Sequence, residues 1–350
     1  MSTIPLRQIG HTGLAVSEIG LGTGPLGNLY EPMRDEIARF LIDTAAKTGI
    51  NYIDTAPFYG FGLSERRVGD GLRGRANMII SSKVGRLLVA DPLVKNDDMR
   101  MGFRSAMPFK PVFDYSYDGI LRSHEASLHR LGLAHIDIVY IHDIGQQTHG
   151  SLNDSMWDQL IRGGGLRALD KLRSEKSIRA FGVGVNEVPA CLQVMEHALV
   201  DVVLLAGRYT LLEQQAMQTL FPACAAARVA VVVGAPYNSG ILATGLRSGR
   251  VASYNYGPAP SDVLIKVQKI ESICDRHAVP IAAAALQFPL AHPQVVSVVA
   301  GVASTAQLNT TLDNYNFSIP SDFWAELKSE GLVDMEAFVP SPTSRLRRDH

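Results

Sequence analysis

The chain has 350 residues, of which 46% are hydrophobic and 19% are charged, and its formal net charge is −1. Nearly balanced charge argues against nucleic acid or an acidic membrane surface as the main partner, because both need a basic surface. Three cysteines without a C-x-x-C pair, a start without the features of a signal peptide and the lack of a long uninterrupted apolar stretch lead us to expect a cytoplasmic protein.

The first segment of the chain predicts a β-hairpin. In "PLRQIGHTGLAV", Gly10 and Gly13 mark a turn between two short stretches that mix polar and apolar residues. Glycine-containing turns of this kind join antiparallel strands. We expect residues 1–17 to form a hairpin that plugs the floor of the structure built by the rest of the chain.

Eight short apolar runs follow. They are rich in β-branched residues and do not alternate with polar ones, as expected for strands buried on both faces. In chain order they cover 18–22, 50–54, 78–82, 136–142, 180–186, 201–205, 229–235 and 295–301. Segments with helical spacing, such as 34–49 and 116–132, lie between most of them. This alternation predicts one α/β domain over 1–350, a (β/α)8 TIM barrel.

Three segments are longer than a connection requires: 84–115, 236–260 and the C-terminal tail 331–350. Long loops without secondary structure in a compact domain are usually functional or disordered. We expect long loops at the C-terminal face of the barrel, where barrel enzymes carry their chemistry. Phe338 in the tail is a further candidate to fold over that mouth.

Polar residues end four successive apolar runs: Asp54, Lys83, His142 and Asn186. Each alone is more often a helix cap or a solvated strand end, but a barrel brings the carboxyl ends of its strands to one mouth. Tyr59 follows Asp54 closely, and a free tyrosine is a poor base at neutral pH. A neighbouring Lys83 ammonium is expected to lower the pKa of Tyr59, with Asp54 holding the lysine and His142 orienting the reacting oxygen.

This combination predicts general acid–base chemistry on a carbonyl–alcohol pair, with Tyr59 as the proton carrier. It contains no nucleophile with an adjacent base and no metal cage. The hydride that such a reaction requires is therefore expected to come from a cofactor.

The stretches "INYIDTAPFYGFGLSERRVG", "IISSKVG" and "IVYIHD" resemble the aldo-keto reductase superfamily, and the resemblance extends over about residues 5–330. It implies nicotinamide-dependent hydride transfer on a (β/α)8 barrel. Matched position by position, the catalytic tetrad of that family falls on Asp54, Tyr59, Lys83 and His142. Asn186 stands where the family binds the nicotinamide carboxamide.

The same resemblance implies a cofactor site around the barrel mouth and the last strand. Its expected members are Gly22, Thr23, Asn186, Pro236, Asn238, Gly240, Gly301, Ser304 and Gln307. In "AGVASTAQLNTTLDN", Gly301 and Gln307 occupy positions that are usually basic, so no guanidinium is available there to grip a 2′-phosphate. NAD is expected rather than NADP, with Arg247 or Arg250 as the alternative phosphate clamp.

Two further positions depart from the family pattern. Ala206 stands where many members have a carboxamide-binding glutamine, and Gly234 stands where many have a tyrosine stacked on the nicotinamide. Tyr237 and Tyr209 are the candidates to stack in its place.

The substrate is implied by "LAGRYTLL" and "GAPYNSGIL", which resemble a branch of the family that oxidises cyclic hemiacetals. The expected reaction oxidises the anomeric carbon of a sugar such as L-fucose or another D-threo-aldose to a lactone. The alternative substrate is pyridoxal, which would give 4-pyridoxolactone. Segments 97–113 and 236–260 are expected to line the pocket or to cover it, and the oligomeric state is not predicted.

Three other interpretations were weighed. "GTGPLG" at 22–27 matches a Rossmann dinucleotide pattern, but "NLYEP" after it does not open a helix. A metal-dependent barrel hydrolase would need more histidine ligands than His142, Asp143 and His149 provide. A cofactor-binding regulatory module without turnover is the alternative of another class, and the intact tetrad speaks against it.

Overall fold

The computed structural model describes residues 4–75, 77–95, 97–247, 249 and 251–341. Within them, the strands are β1 (Leu6–Ile9), β2 (Leu14–Ser17), β3 (Ile19–Gly22), β4 (Tyr52–Asp54), β5 (Ile79–Val84), β6 (Arg86–Ala90), β7 (Met99–Arg100), β8 (Phe103–Arg104), β9 (Phe109–Phe113), β10 (Ile138–His142), β11 (Ala180–Val185), β12 (Val202–Ala206), β13 (Ala230–Gly234), β14 (Ser253–Tyr254), β15 (Gly257–Pro258) and β16 (Val295–Gly301). The α-helices are α1 (Asp35–Lys47), α2 (Leu63–Leu72), α3 (Tyr117–Leu131), α4 (Gln146–His149), α5 (Asn153–Ile161), α6 (Gly165–Ser174), α7 (Val188–His197), α8 (Leu220–Ala227), α9 (Ile241–Thr244), α10 (Ser261–Arg276), α11 (Ile281–Leu290), α12 (Thr305–Asn316) and α13 (Ser321–Ser329). Arg250 and the last nine residues of the predicted tail, 342–350, lie outside the described residues.

Eight of these strands form a closed parallel barrel. The strand order around it is β10, β11, β12, β13, β16, β3, β4 and β5, so that consecutive barrel strands are neighbours throughout. All residues of β10, β11 and β13 are buried, because the barrel interior covers one face of each strand and the helices cover the other. The eight predicted apolar runs are these eight strands, and the (β/α)8 barrel is confirmed.

The predicted N-terminal hairpin is present. Strands β1 and β2 pair antiparallel, and the Oδ1 atom of Asn51, just before β4, accepts a 2.7 Å hydrogen bond from the backbone N–H of Ser17. Ile9, Leu14 and Val16 are fully buried and join the apolar cluster inside the barrel. The hairpin therefore seals the barrel at the amino ends of its strands and leaves the carboxyl ends as the open mouth.

Both long segments at the mouth contain secondary structure, contrary to the simplest expectation of unstructured loops. Between β5 and α3, strand β6 pairs with β9 and strand β7 pairs with β8, which makes two nested hairpins. Between β13 and α10, a short helix α9 precedes the hairpin of β14 and β15. Each segment follows the carboxyl end of a barrel strand, so both lie at the face where we expected them.

The described part of the tail, residues 331–341, packs at the floor of the barrel. The ring of Phe338 packs 4.9 Å from the ring of His292, which lies in the connection leading into the amino end of β16. Arg7 in the hairpin plug and Tyr315 in α12 line the same cavity as Phe338. The expectation that Phe338 folds over the mouth is therefore wrong, because the tail finds its apolar partners at the floor.

The three cysteines of the chain are part of the scaffold and not of the mouth of the barrel. Cys191, Cys224 and Cys274 lie in helices and are buried. Burial raises the pKa of Cys224 and of Cys274 to about 12, so neither thiol is activated as a nucleophile.

Among the described residues, none of the helices has both the length and the apolar character that crossing a bilayer requires.

Candidate active site

A buried ion pair lies at the mouth of the barrel, between the neighbouring strands β4 and β5. The Nζ atom of Lys83 lies 2.7 Å from Oδ2 of Asp54, and the two side chains are 2% and 5% exposed. Lys83 also donates to the backbone carbonyl of Thr55 at 2.8 Å, and the Ser81 hydroxyl donates to Oδ1 of Asp54 at 2.7 Å. The hydrogen bonds that complete the pair offset part of the cost of burying two charges.

The backbone that carries Asp54 is fixed by a second network. The N–H and the hydroxyl of Thr23 both donate to the Asp54 carbonyl, at 3.1 and 2.8 Å. The Ser64 hydroxyl binds Thr23 and Thr55 in turn. Thr23 was predicted to bind cofactor, but its side chain is fully buried and engaged in holding the tip of β4.

Tyr59 is positioned by two glycines that meet. A Cβ on Gly27 would lie 2.5 Å from the carbonyl carbon of Tyr59, and a Cβ on Gly60 would lie 2.4 Å from the carbonyl oxygen of Gly27. Gly60 also has a φ of +65°. Any larger residue at either position would push the two loops apart and displace Tyr59.

The predicted tetrad converges. The Lys83 ammonium lies 4.7 Å from the centroid of the Tyr59 ring, and the rings of Tyr59 and His142 are 6.2 Å apart and nearly perpendicular. The pKa of Tyr59 is not lowered overall, contrary to what its contact with Lys83 led us to expect. Burial raises the pKa of Tyr59 well above its usual value, and the Asp54 carboxylate raises it further. Tyr59 is therefore protonated at neutral pH.

His142 is held neutral. Burial lowers its pKa well below the usual value, and the positive charges of Arg86 and Lys83 lower it further. Its Nε2 atom lies 3.4 Å from Oδ2 of Asp143, and its Nδ1 atom is buried without a hydrogen-bond partner among the described residues. A neutral imidazole donates one hydrogen bond and accepts another, which suits it to orient a hydroxyl or carbonyl oxygen.

Sequence reasoning missed a second ion pair beside His142. Arg86, the first residue of β6, is 7% exposed, and its Nη2 atom donates to the carboxylate of Asp143. Arg86 precedes no recognisable motif, and it comes near His142 because β5, which ends two residues before it, pairs with β10. Its position directly after "SSKVG" was the one signal that it would lie near Lys83.

The pocket wall next to Tyr59 is apolar and largely aromatic. The Phe103 ring, from the segment predicted to line the pocket, lies 6.4 Å from the Tyr59 ring and 5.4 Å from the Phe58 ring. Phe61 and Leu29 belong to the same cluster. A substrate that reaches Tyr59 therefore meets flat, hydrophobic surfaces on this side.

The predicted phosphate end of the cofactor site lies at the start of α12. Gly301 of β16 is paired with Gly22 of β3 across the two neighbouring strands. The Ser304 hydroxyl accepts from the Gln307 N–H at 3.2 Å, and the Gln307 side chain accepts from the Ala303 N–H at 2.7 Å. This reciprocal cap leaves a helix N-terminus with no charged side chain in its first turn, which suits a phosphate group.

The loop after β13 carries the other predicted cofactor residues and is strained. Three of its non-glycine residues, Ala235, Asn238 and Ser239, have φ between 43° and 60°. Asn238 is buried, and its amide donates to the Gly207 carbonyl at 3.2 Å, while its Oδ1 atom is buried without a partner among the described residues. An orphaned buried oxygen next to strained backbone fits a site built for a polar ligand such as a nicotinamide dinucleotide.

The remaining cofactor predictions have mixed outcomes. The side chain of Asn186 interacts with the hydroxyl of Tyr256, at the tip of the hairpin formed by β14 and β15. Tyr209 packs in the core against Phe221, with ring centroids 4.6 Å apart, so it does not reach the mouth to stack on a nicotinamide. Tyr237 interacts with Thr311 of α12. Pro236 is buried, and Gly240 has a φ of +99° at the start of α9.

The weak metal pattern of His142, Asp143 and His149 is not assembled. His149 bonds to the Tyr115 hydroxyl at 3.0 Å, and Asp143 is paired with Arg86. Among the described residues, no group of three His, Cys, Asp or Glu side chains is arranged to hold a metal ion.

Comparison with known proteins places this site in a family. The sequence pattern of the Aldo/keto reductase family matches residues 18–330. The chain is 41% identical to a pyridoxal 4-dehydrogenase of Microbacterium luteolum, covering 93% of this chain and 97% of that protein. It is 36% identical to a D-threo-aldose 1-dehydrogenase of a Pseudomonas species, covering 92% and 96%. An aldo-keto reductase structure from Bacillus halodurans shares the fold, with a TM-score of 0.72 at 24% identity and coverage of 96% and 98%.

The buried ion pair of Asp54 and Lys83 predicts an effect on the free energy of unfolding that can be measured separately from turnover. Lys83→Met leaves the Asp54 carboxylate buried without its counter-ion, and we expect it to lower the free energy of unfolding by about 3–5 kcal/mol. Asp54→Asn combined with Lys83→Met removes both charges and should recover most of that loss without restoring turnover. Urea unfolding of the two variants measures the difference.

The control is Arg247→Gln, which breaks a surface ion pair with Asp275 that is more than half exposed on both sides. It should change unfolding little. A Lys83→Met protein as stable as the parent, or a double variant no more stable than the single one, would contradict this account of the pair.

Proposed function

The chain belongs to the aldo/keto reductase family, and from this and the geometry of its site we propose that it oxidises a cyclic hemiacetal to a lactone with NAD. It is an oxidoreductase, and members of this family bind a nicotinamide cofactor. The observation that carries the proposal is the contact of the Tyr59 ring with the buried Lys83 ammonium, beside a neutral His142. This arrangement moves a proton on and off a hydroxyl or carbonyl oxygen.

A nicotinamide cofactor, which the loop after β13 and the first turn of α12 would hold, would supply the acceptor for the hydride of the hemiacetal carbon. Tyr59 takes the proton from the hemiacetal hydroxyl. Tyr59 accepts this proton as a phenolate and becomes a neutral phenol. Lys83 stabilises the phenolate form before the transfer, and Asp54 keeps Lys83 in place. His142 hydrogen-bonds the reacting oxygen and fixes its orientation. The aromatic wall excludes water from this corner, which strengthens each of these electrostatic contacts.

The hemiacetal class is supported by what the relatives act on. One relative is named for pyridoxal and another for D-threo-aldoses, and both kinds of compound close into a ring that carries a hemiacetal hydroxyl. The apolar surface of Phe58 and Phe103 favours the flat ring of pyridoxal. A sugar such as L-fucose is the second candidate, favoured by the polar groups of Asn255 and Tyr256 at the mouth.

The preference for NAD is supported by the first turn of α12, which has no basic side chain. A 2′-phosphate at that helix would lack the guanidinium that grips it in two hydrogen bonds. Arg247, the alternative clamp, is engaged with Asp275 through two hydrogen bonds. The adenosine end of NAD needs no such charge.

Substrate oxidation tests the proposal directly. The purified protein, incubated with pyridoxal or L-fucose, should form reduced cofactor rapidly with NAD+ and slowly with NADP+, and mass spectrometry should find a product two hydrogens lighter than the substrate. The methyl glycoside of L-fucose, which has no free hemiacetal hydroxyl, is the control and should not react. Reduction of simple aldehydes without oxidation of either hemiacetal would refute the proposed reaction.

Tyr59→Phe separates an enzyme from a cofactor-binding module. Loss of the hydroxyl removes the proton carrier but keeps the ring on Lys83, so we expect kcat to fall by about 10²–10⁴ while NAD affinity is retained. Stopped-flow turnover and fluorescence titration with NADH measure the two quantities. Tyr117→Phe, on the outer helix α3, is the matched control with parental activity, and undiminished turnover in Tyr59→Phe would reject the role of Tyr59.

The raised pKa of Tyr59 predicts the pH dependence of oxidation. Oxidation requires the phenolate, and the pKa of Tyr59 lies well above 10, so the reactive fraction grows with pH throughout the range below that value. His142 is already neutral above pH 7 and adds no further change. We expect kcat/KM for oxidation to rise from pH 7 to pH 10 by up to about tenfold per unit, without a plateau. A plateau that begins near pH 7 would contradict it.

A further inference from the structure

Arg86 carries donors that the described protein does not use. A guanidinium donates from several N–H groups that lie in one plane. Among the described residues, the one hydrogen bond from this side chain goes to Asp143, and the Nε atom is buried without a partner. Buried donors without acceptors are costly, and a native structure that holds them has a reason to do so.

The guanidinium of Arg86 is packed against aromatic side chains. The guanidinium carbon lies 4.1 Å from the centroid of the Phe58 ring and 4.6 Å from that of the Phe113 ring. Two aromatic rings thus hold the group by cation–π contact, and Asp143 binds one corner. The remaining donors of the plane are fixed in direction before any ligand arrives, which lowers the entropy cost of binding one.

The Arg86 guanidinium lies beside Tyr59 and His142, the two residues proposed to handle the proton and the reacting oxygen. Asp143, the partner of Arg86, lies 3.4 Å from Nε2 of His142, and Phe58, which covers one face of Arg86, precedes Tyr59. The positive charge lowers the pKa of both His142 and Tyr59. Asp143 itself has a φ of +50°, an uncommon backbone conformation that aspartate tolerates and that marks a constrained position.

We propose that Arg86 binds a substrate oxygen close to the reacting carbon, and that it selects hemiacetals in which this oxygen is ionised. The inference rests on the proposed oxidation of a hemiacetal. In a 3-hydroxypyridine hemiacetal such as that of pyridoxal, an acidic hydroxyl sits on the ring carbon adjacent to the one that bears the reacting carbon. In a sugar, the hydroxyl next to the anomeric carbon is neutral. A hydrogen bond between two charged groups is about twice as strong as a neutral one, so Arg86 favours the pyridine class.

The test compares pyridoxal with its 3-deoxy analogue, in which hydrogen replaces the ionisable hydroxyl. With NAD+, the parent should prefer pyridoxal by about 10–100-fold in kcat/KM, the range expected for a hydrogen bond to a charged group. Arg86→Gln should lose about that factor more in kcat/KM with pyridoxal than with the analogue, and the additional loss should come mainly through KM. Arg86→Lys should keep part of the preference, because it keeps the charge but not the planar fork.

The matched control is Arg122→Gln, which removes another arginine paired with an aspartate, Asp114, but on the exposed surface of α3. It should leave both rates unchanged. Equal losses of both substrates in Arg86→Gln would assign Arg86 a structural role and overturn the proposal. Turnover of L-fucose but not of pyridoxal would overturn it while leaving hemiacetal oxidation intact, whereas no turnover of any hemiacetal would overturn the proposed function as well.

Discussion

The ion pair of Lys83 and Asp54 is the constraint on which the mouth of the barrel depends. Two charges that are almost completely buried destabilise a fold unless each finds its partner and its hydrogen bonds. Here the partners come from neighbouring strands and from the Thr55 carbonyl, so the pair forms only if β4 and β5 keep their register. The same register brings the Lys83 ammonium against the Tyr59 ring. The interaction that positions Tyr59, the proposed catalytic residue, therefore forms only when β4 and β5 are paired in the correct register.

A second cation–carboxylate pair, Arg86 with Asp143, faces the first across Tyr59 and His142. Burial affects Tyr59 and His142 differently from the paired side chains around them. It keeps Tyr59 protonated and His142 neutral, since both lose their charged forms on leaving water. Lys83 and Arg86 each have a carboxylate partner, Asp54 and Asp143. Two neutral proton-handling groups between two fixed ion pairs make a site whose electrostatics are set before substrate enters.

The barrel was predictable because its strands are buried on both faces, which leaves a run of β-branched residues that no other element imitates at this spacing. Asp54, Lys83 and His142 were predictable because each ends such a run. The raised pKa of Tyr59 was not, since burial depends on segments far along the chain. Arg86 was missed for the same reason: Phe113 meets it through the pairing of β6 with β9, and Asp143 through the pairing of β5 with β10. Phe338 was assigned to the wrong end because nothing in an apolar tail residue encodes which end of the barrel it will reach.

The loop after β13, residues 235–240, belongs to the proposed cofactor site and carries no basic side chain. Ala235, Asn238 and Ser239 all have positive φ, and each such non-glycine residue costs about 1 kcal/mol or more. The loop is held in this form by the bond from Asn238 to the Gly207 carbonyl. Three uncommon backbone conformations in one short loop indicate a functional constraint rather than a requirement of packing. If this loop and α12 hold the dinucleotide as proposed, recognition rests on fixed backbone shape and a helix N-terminus. Such a site discriminates against an additional phosphate by leaving its charge unpaired, which is the selectivity that an NAD enzyme needs.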